Sequence, residues 1–121
     1  MKVLVLGGTG TIGSQVAHSL MRRGAWVTIL CRSESSAGDA EALGAYPLRG
    51  DIATPQQWMG AIRSFDAVIQ AAATFDTRIS IVDSRLLEQL LEKLGQHVRR
   101  RRLVYTGGGW LYGDCSQPVN E

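Results

Sequence analysis

The run Val3-Leu4-Val5-Leu6 is short, apolar and rich in β-formers, and it leads directly into Gly7-Gly8-Thr9-Gly10-Thr11-Ile12-Gly13. A helix-period apolar pattern begins before the glycines end, so strand, tight turn and helix start follow one another at the head of the chain. Glycines admit positive φ and let a ligand approach the backbone, and the free N–H groups of a helix's first turn attract an anion. The turn can therefore cradle a diphosphate. Gly8, Gly10 and Gly13 fit G-x-G-x-x-G, and Gly7, Gly10 and Gly13 fit G-x-x-G-x-x-G. Either match is weak without a strand before it, a helix after it and a βαβ unit around it.

That context is supplied downstream. Ile12, Val16, Ala17, Leu20 and Met21 fall on one helical face, Arg22 and Arg23 complement the negative end of the helix dipole, and Gly24 is placed to cap it. Ala25 to Leu30 is a nearly continuous β-prone run, as expected for a strand buried on both sides of a parallel sheet. Cys31 to Asp39 reads as a loop, Ala40 to Leu43 as a short helical turn, and Ala45 to Leu48 as a weak third strand before Arg49-Gly50-Asp51. Thr54-Pro55 opens a helix with Trp58, Ile62 and Phe65 on its apolar face. Asp66 to Gln70 is a fourth strand leading into Ala71-Ala72-Ala73. A long helix from Arg78 to His97 carries Val82, Leu86, Leu87, Leu90, Leu91 and Leu94, and Leu103 to Tyr105 is a fifth strand. Gly107 to Glu121 shows no periodicity.

Alternating strand and helix signals predict an α/β fold: an open parallel sheet of five strands in the order 3-2-1-4-5, with helices on both faces. A chain of 121 residues is one domain. Strand five then sits at an edge with nothing left to cover it, so residues 1–121 read as the N-terminal part of a larger protein.

Composition narrows the function classes. Hydrophobic content of 45% and charged content of 20% suit a globular domain, and a net charge of +2 is too small to argue for nucleic acid. The run Arg99 to Arg102 lacks interleaved aromatics and reads as a solvated turn near a helix end. No stretch approaches the roughly twenty apolar residues of a membrane span and no signal peptide is evident, so the expected location is cytoplasmic. Cys31 and Cys115 lie far apart, with no histidine at ligand spacing, and indicate neither a disulfide nor a metal site. His18 and His97 read as structural.

The tip of the second strand selects between nicotinamide cofactors. An acid there binds the ribose 2′-hydroxyl of NAD, and an arginine accommodates the 2′-phosphate of NADP. This strand ends Leu30-Cys31-Arg32-Ser33, so Arg32 with the Ser33 hydroxyl predicts NADP over NAD, with Glu34 as the one acid close by.

Together, Gly7 to Gly13, Arg49-Gly50-Asp51, Gln70 to Ala73 and Tyr105-Thr106-Gly107-Gly108-Gly109-Trp110-Leu111-Tyr112-Gly113-Asp114 resemble, in family order, the N-terminal part of an NAD(P)-dependent epimerase/dehydratase. These are extended or atypical short-chain dehydrogenases/reductases. The resemblance implies a single NAD(P)-binding Rossmann domain over 1–121, with Asp51 and Ile52 at the adenine and Ala71, Ala72 and Ala73 beside the passing cofactor. It also implies that Tyr112 is a packing tyrosine and that the helix over 78–97 pairs copies into a homodimer.

Catalysis in that family resembles acid–base chemistry by a Tyr-x-x-x-Lys pair with a neighbouring serine or threonine. Tyr46, Tyr105 and Tyr112 are followed four residues on by Gly50, Gly109 and Ser116, so the pair is missing here. Gly107 and Gly108 stand where relatives carry serine, which leaves Thr106 as the only candidate hydroxyl. The expected function is the dinucleotide-binding domain of an oxidoreductase, epimerase or dehydratase acting on a carbonyl or alcohol carbon of a small molecule, inactive as this chain alone. Two alternatives stay open: a non-catalytic dinucleotide sensor, and a degenerate fragment serving only as an interaction surface.

Overall fold

In the computed structural model, which describes residues 1–74, 76–96 and 98–107, the strands are β1 (Lys2–Leu6), β2 (Trp26–Cys31), β3 (Tyr46–Arg49), β4 (Ala67–Gln70) and β5 (Arg102–Tyr105). They form one parallel sheet in the order β3-β2-β1-β4-β5, as the alternation of signals predicts. The register pairs Val5 with Ile29 and Ile69, and Leu6 with Leu30 and Gln70, so the strands end along a common edge.

The two-residue period of a strand divides the core. Val3, Val5, Val27, Ile29, Cys31 and Ile69 face α1 (Thr11–Arg22) and α2 (Glu34–Ala42), meeting Ala17 and Ala40. Leu4, Leu6, Leu30 and Val68 face the opposite way, onto Trp58, Met59, Ile62 and Phe65 and onto Leu86 and Leu90 of α3 (Ile79–Gly95). Removing most of a side chain from this second layer, as in Leu86→Ala, would cost about 2–5 kcal/mol.

Several local expectations are corrected. Cys31 to Asp39 is not a loop: β2 runs to Cys31, and a nine-residue helix follows, capped by Ser33 and Ser36 in a reciprocal box. Thr54 holds the N-cap position before Pro55 but makes no side-chain cap bond, and the segment forms two 3-10 helices, Pro55–Gln57 and Met59–Ser64, in place of an α-helix. Met59, Ile62 and Phe65 are all buried at a spacing of three, the period of a 3-10 helix. Ile12 lies outside the apolar face of α1 at 59% exposure, and Trp26, at 60%, leaves the start of β2 open on one side.

Gly24 does end α1 in the left-handed region, at φ +84°. Of the leucine stripe on α3, Leu86 and Leu90 are buried, Leu87 and Leu94 half-buried and Leu91 exposed. Arg101 is not merely solvated: its guanidinium donates to the carbonyls of Ile62 and Phe65 and closes the second 3-10 turn. The expectations for His97, Gly108, Trp110, Tyr112 and Cys115 lie outside the described residues.

Candidate functional site: a crevice at the strand ends

Between β1 and β4 the chain reverses its direction of travel through the sheet. After β1 it moves outward to β2 and β3, then returns past β1 to β4 and β5. Ligands of open parallel sheets bind at such a switch point, outside the carboxyl ends of the strands. The glycine turn forms one wall of this crevice and the Ala71–Ala73 segment the other.

Gly7 has φ +77°, a conformation that carries the chain sharply out of β1, and its carbonyl accepts the Gly10 N–H at 3.0 Å. A Cβ on Gly7 would stand 2.7 Å from the Ala71 carbonyl oxygen and the Ala72 backbone. On Gly8 it would meet the Ile29 side chain at 2.6 Å, and on Gly13 the Gly7 oxygen at 2.0 Å. Packing of the turn against β4, β2 and α1 thus accounts for Gly7, Gly8 and Gly13. Gly10 differs, since its Cβ would find only the Gly7 oxygen, at 3.3 Å.

Gly10 is also the N-cap of α1, and no side chain caps this end. The N–H groups of the first turn, Thr11, Ile12 and Gly13, have no acceptor within the helix, and the turn contains no acidic residue. With Thr9, Thr11 and Ile12 exposed around it, the opening presents N–H donors and a positive dipole end to the crevice. A diphosphate fits this cradle.

Arg32 and Ser33 follow the β2 tip and are exposed. The Ser33 hydroxyl accepts the Ser36 N–H at 3.1 Å, so its helix-capping role is established locally. Glu34 is tied to Arg49, the last residue of β3, by an ion pair of 2.8 Å between exposed side chains. Among the described residues Arg32 makes no ion pair. Burial pushes the Cys31 thiol above its ordinary pKa, against the smaller effect of its hydrogen bond to Ser36, which makes it an inert core group.

Asp51 shapes the next turn. Its Oδ1 accepts the Ala53 N–H at 2.9 Å, and its carbonyl accepts both the Thr54 N–H at 3.1 Å and the buried Trp58 indole N–H at 2.8 Å. Ile52 is half-buried against the second core layer. Arg32, Ser33, Asp51 and Ile52 therefore lie together beyond β2 and β3, on one side of the glycine turn.

On the other side, the Ala71 N–H bonds the Leu6 carbonyl at 3.0 Å and the Thr106 N–H bonds the Gln70 carbonyl at 2.9 Å, which extends both ladders to the crevice. Ala73 and Thr106 are exposed there, as is Gly107. Sequence reasoning missed the polar groups beneath them. Gln70 is 2% exposed, with its amide bonded to Ala72 and to Asp83, and Asp83 accepts the Tyr105 hydroxyl. The hydrogen bond to Asp83, followed by burial, holds the Tyr105 phenol above its ordinary pKa.

The parallel sheet, the switch-point crevice and the uncapped glycine turn define a Rossmann-type dinucleotide-binding domain. The sequence pattern of the NAD dependent epimerase/dehydratase family matches residues 3–121, and the chain belongs to that family. It is 39% identical over 72 residues to the photosystem II assembly factor Ycf39 of Synechocystis, covering 60% of this chain and 22% of that protein. It is 36% identical over 73 residues to the 2-alkyl-3-oxoalkanoate reductase of Stenotrophomonas maltophilia, covering 60% and 22%. The UDP-glucose-4-epimerase structure from Stenotrophomonas maltophila, with bound NAD, superposes with a TM-score of 0.72 at 24% identity, over 98% of this chain and 40% of that one. The matches thus span well under half the length of these proteins. Among the described residues, no helix is long and apolar enough to cross a membrane.

Proposed function

We propose that the chain is the NADP(H)-binding domain of a short-chain-type oxidoreductase, epimerase or dehydratase whose complete form acts on a carbonyl or alcohol carbon. The observation that carries this reading is the start of α1 at Gly10, which no side chain caps and which opens onto the switch-point crevice. Gly7 to Gly13 hold the diphosphate, Asp51 and Ile52 take the adenine, and Ala71 to Ala73 flank the other half of the cofactor. When bound, the cofactor supplies hydride chemistry. The chain's own contribution is to bind and orient it, because its sequence holds no Tyr-x-x-x-Lys pair, and Thr106 is the candidate hydroxyl near the reacting end.

Preference for NADP follows from Arg32. It is exposed and free of any acid among the described residues, while Glu34, the acid that could favour NAD, is paired with Arg49. Titration with NADPH and NADH tests this, with Trp58, hydrogen-bonded to Asp51, as the fluorescent reporter nearest the adenine. NADPH should bind about tenfold more tightly, and Arg32→Ala should erase most of the difference. Equal affinities in the unaltered chain would refute the assignment.

Pairing of two copies through α3 belongs to the same proposal. Leu87, Leu91 and Leu94 share one face of this helix, with Leu91 57% exposed and the other two half-buried, so part of the leucine stripe is left for a partner helix. Sedimentation should return a dimer that Leu91→Glu converts to monomer. A native chain that sediments only as monomer removes this part of the reading.

A further inference from the structure

The side-chain network beneath Ala72 is a feature that the glycine turn does not explain. Gln70 ends β4 with its side chain in the core, at 2% exposure, where an amide is expensive unless fully bonded. It is well bonded. Its Oε1 accepts the Ala72 N–H at 3.2 Å, its Nε2 donates to the Ala72 carbonyl at 3.0 Å, and the same Nε2 donates to Asp83 Oδ1 at 3.3 Å. Asp83, half-buried on α3, uses its other oxygen to accept the Tyr105 hydroxyl from the last residue of β5. Three elements are thus joined to one backbone unit.

That unit is the one facing the glycine turn. A Cβ on Gly7 would lie 2.7 Å from the Ala72 N and Cα, so the β4 exit stands directly beside the turn at the base of the crevice. A shift of Ala72 alters the width of the crevice directly.

We propose that Gln70, Asp83 and Tyr105 form a positioning network that sets the β4 wall of the crevice and thereby selects for the nicotinamide half of the dinucleotide. This rests on the dinucleotide reading above. The adenosine ribose is read at the β2 tip and the diphosphate at the start of α1, so the remaining half of an extended dinucleotide passes over the β4 and β5 exits. Gln70 holds the Ala72 amide in place from both sides. Asp83 fixes which way round the Gln70 amide lies, since its carboxylate can only accept, and it must therefore face the NH2 group. Tyr105 occupies the second carboxylate oxygen and keeps Asp83 turned inward. None of the three is a catalytic residue; they act through the backbone of Ala71 to Ala73.

The two halves of the cofactor give the test its resolution. NADPH and 2′,5′-ADP, which lacks the nicotinamide half, are titrated against the unaltered chain and against Gln70→Leu, Asp83→Leu, Asp83→Asn and Tyr105→Phe, with folding checked by thermal melts. Gln70→Leu and Asp83→Leu should weaken NADPH about tenfold and leave 2′,5′-ADP within about twofold. Asp83→Asn should recover most of the loss, because its amide can accept from Gln70 and donate to the Tyr105 oxygen. Tyr105→Phe, which removes a single oxygen atom and preserves the ring, should show the same split at about threefold. Unchanged NADPH binding in Gln70→Leu, Asp83→Leu and Tyr105→Phe overturns the network's role and leaves the dinucleotide reading standing. Equal losses for both ligands assign these residues to general stability and also overturn it. An unaltered chain that binds neither ligand overturns the dinucleotide reading itself, and the network's role with it.

Discussion

Gly10 and Gly13 are both part of the glycine pattern, yet the fold treats them differently. Alanine at Gly13 would place a Cβ 2.0 Å from the Gly7 oxygen, so either the first turn of α1 or the exit of β1 must move. Gly13→Ala should destabilise the chain by about 1–3 kcal/mol and abolish NADPH binding together with it. Gly10→Ala meets one atom, the Gly7 oxygen at 3.3 Å, and should lower the thermal midpoint less than Gly13→Ala while weakening NADPH by about tenfold or more. Parallel melts and titrations of the two variants check this, and a Gly10→Ala chain that binds normally would remove the main support for the ligand assignment. At this scale the glycines were legible as a tight strand-to-helix turn, and the close packing around Gly7, Gly8 and Gly13 gives the reason for that turn. Ser33 and Asp51 were only half legible, since an oxygen that can contact a cofactor can equally accept a backbone N–H, and here each does so. The link from Gln70 to Asp83 and on to Tyr105 was not legible. It joins residues 13 and 22 positions apart by packing alone.

Elements were readable where burial imposes a period and obscure where it does not. The five strands and α1 and α3 carry apolar stripes wide enough to announce themselves. α2 does not, because Glu34–Ala42 contributes only Ala37 and Ala40 to the core and is defined instead by its Ser33–Ser36 cap, worth about 1 kcal/mol. The segment after Pro55 showed an apolar pattern, but Trp58 reaching back to Asp51 and the spacing of Met59, Ile62 and Phe65 tightened it into 3-10 turns. The junction of β5 with α3 also makes a pH prediction. Asp83 and burial hold the Tyr105 phenol above its ordinary value of about 10, so the folded chain binds this proton more tightly than the unfolded chain. The resulting stability is fully present below that ordinary value and is lost as pH rises through the higher folded one. Denaturation midpoints measured from about pH 8 to about pH 11 should fall more steeply in the unaltered chain than in Tyr105→Phe. Identical alkaline limbs would contradict the assigned bond.

For the whole molecule, the order of the sheet matters more than any single side chain. Because β1 lies at the centre and β4 beside it, the glycine turn, the Arg32 tip, the Asp51 turn and the Ala71–Ala73 wall are brought to one edge from positions spread over most of the chain. A ligand that touches all of them bridges both halves of the sheet and should stabilise the fold as a unit. At a free NADPH concentration one hundred times its Kd, the gain is about 2.7 kcal/mol, which for a domain of this size raises the thermal midpoint by on the order of 10 °C. The same saturated complex should transfer no hydride to carbonyl substrates, since the sequence holds no Tyr-x-x-x-Lys pair and, among the described residues, the Tyr105 hydroxyl is already engaged by Asp83. Calorimetry with NADPH and a spectrophotometric assay for its oxidation separate these statements. A large thermal shift without turnover is the expected result; turnover by this chain alone would place a proton donor among its residues and refute the division between holding the cofactor and using it.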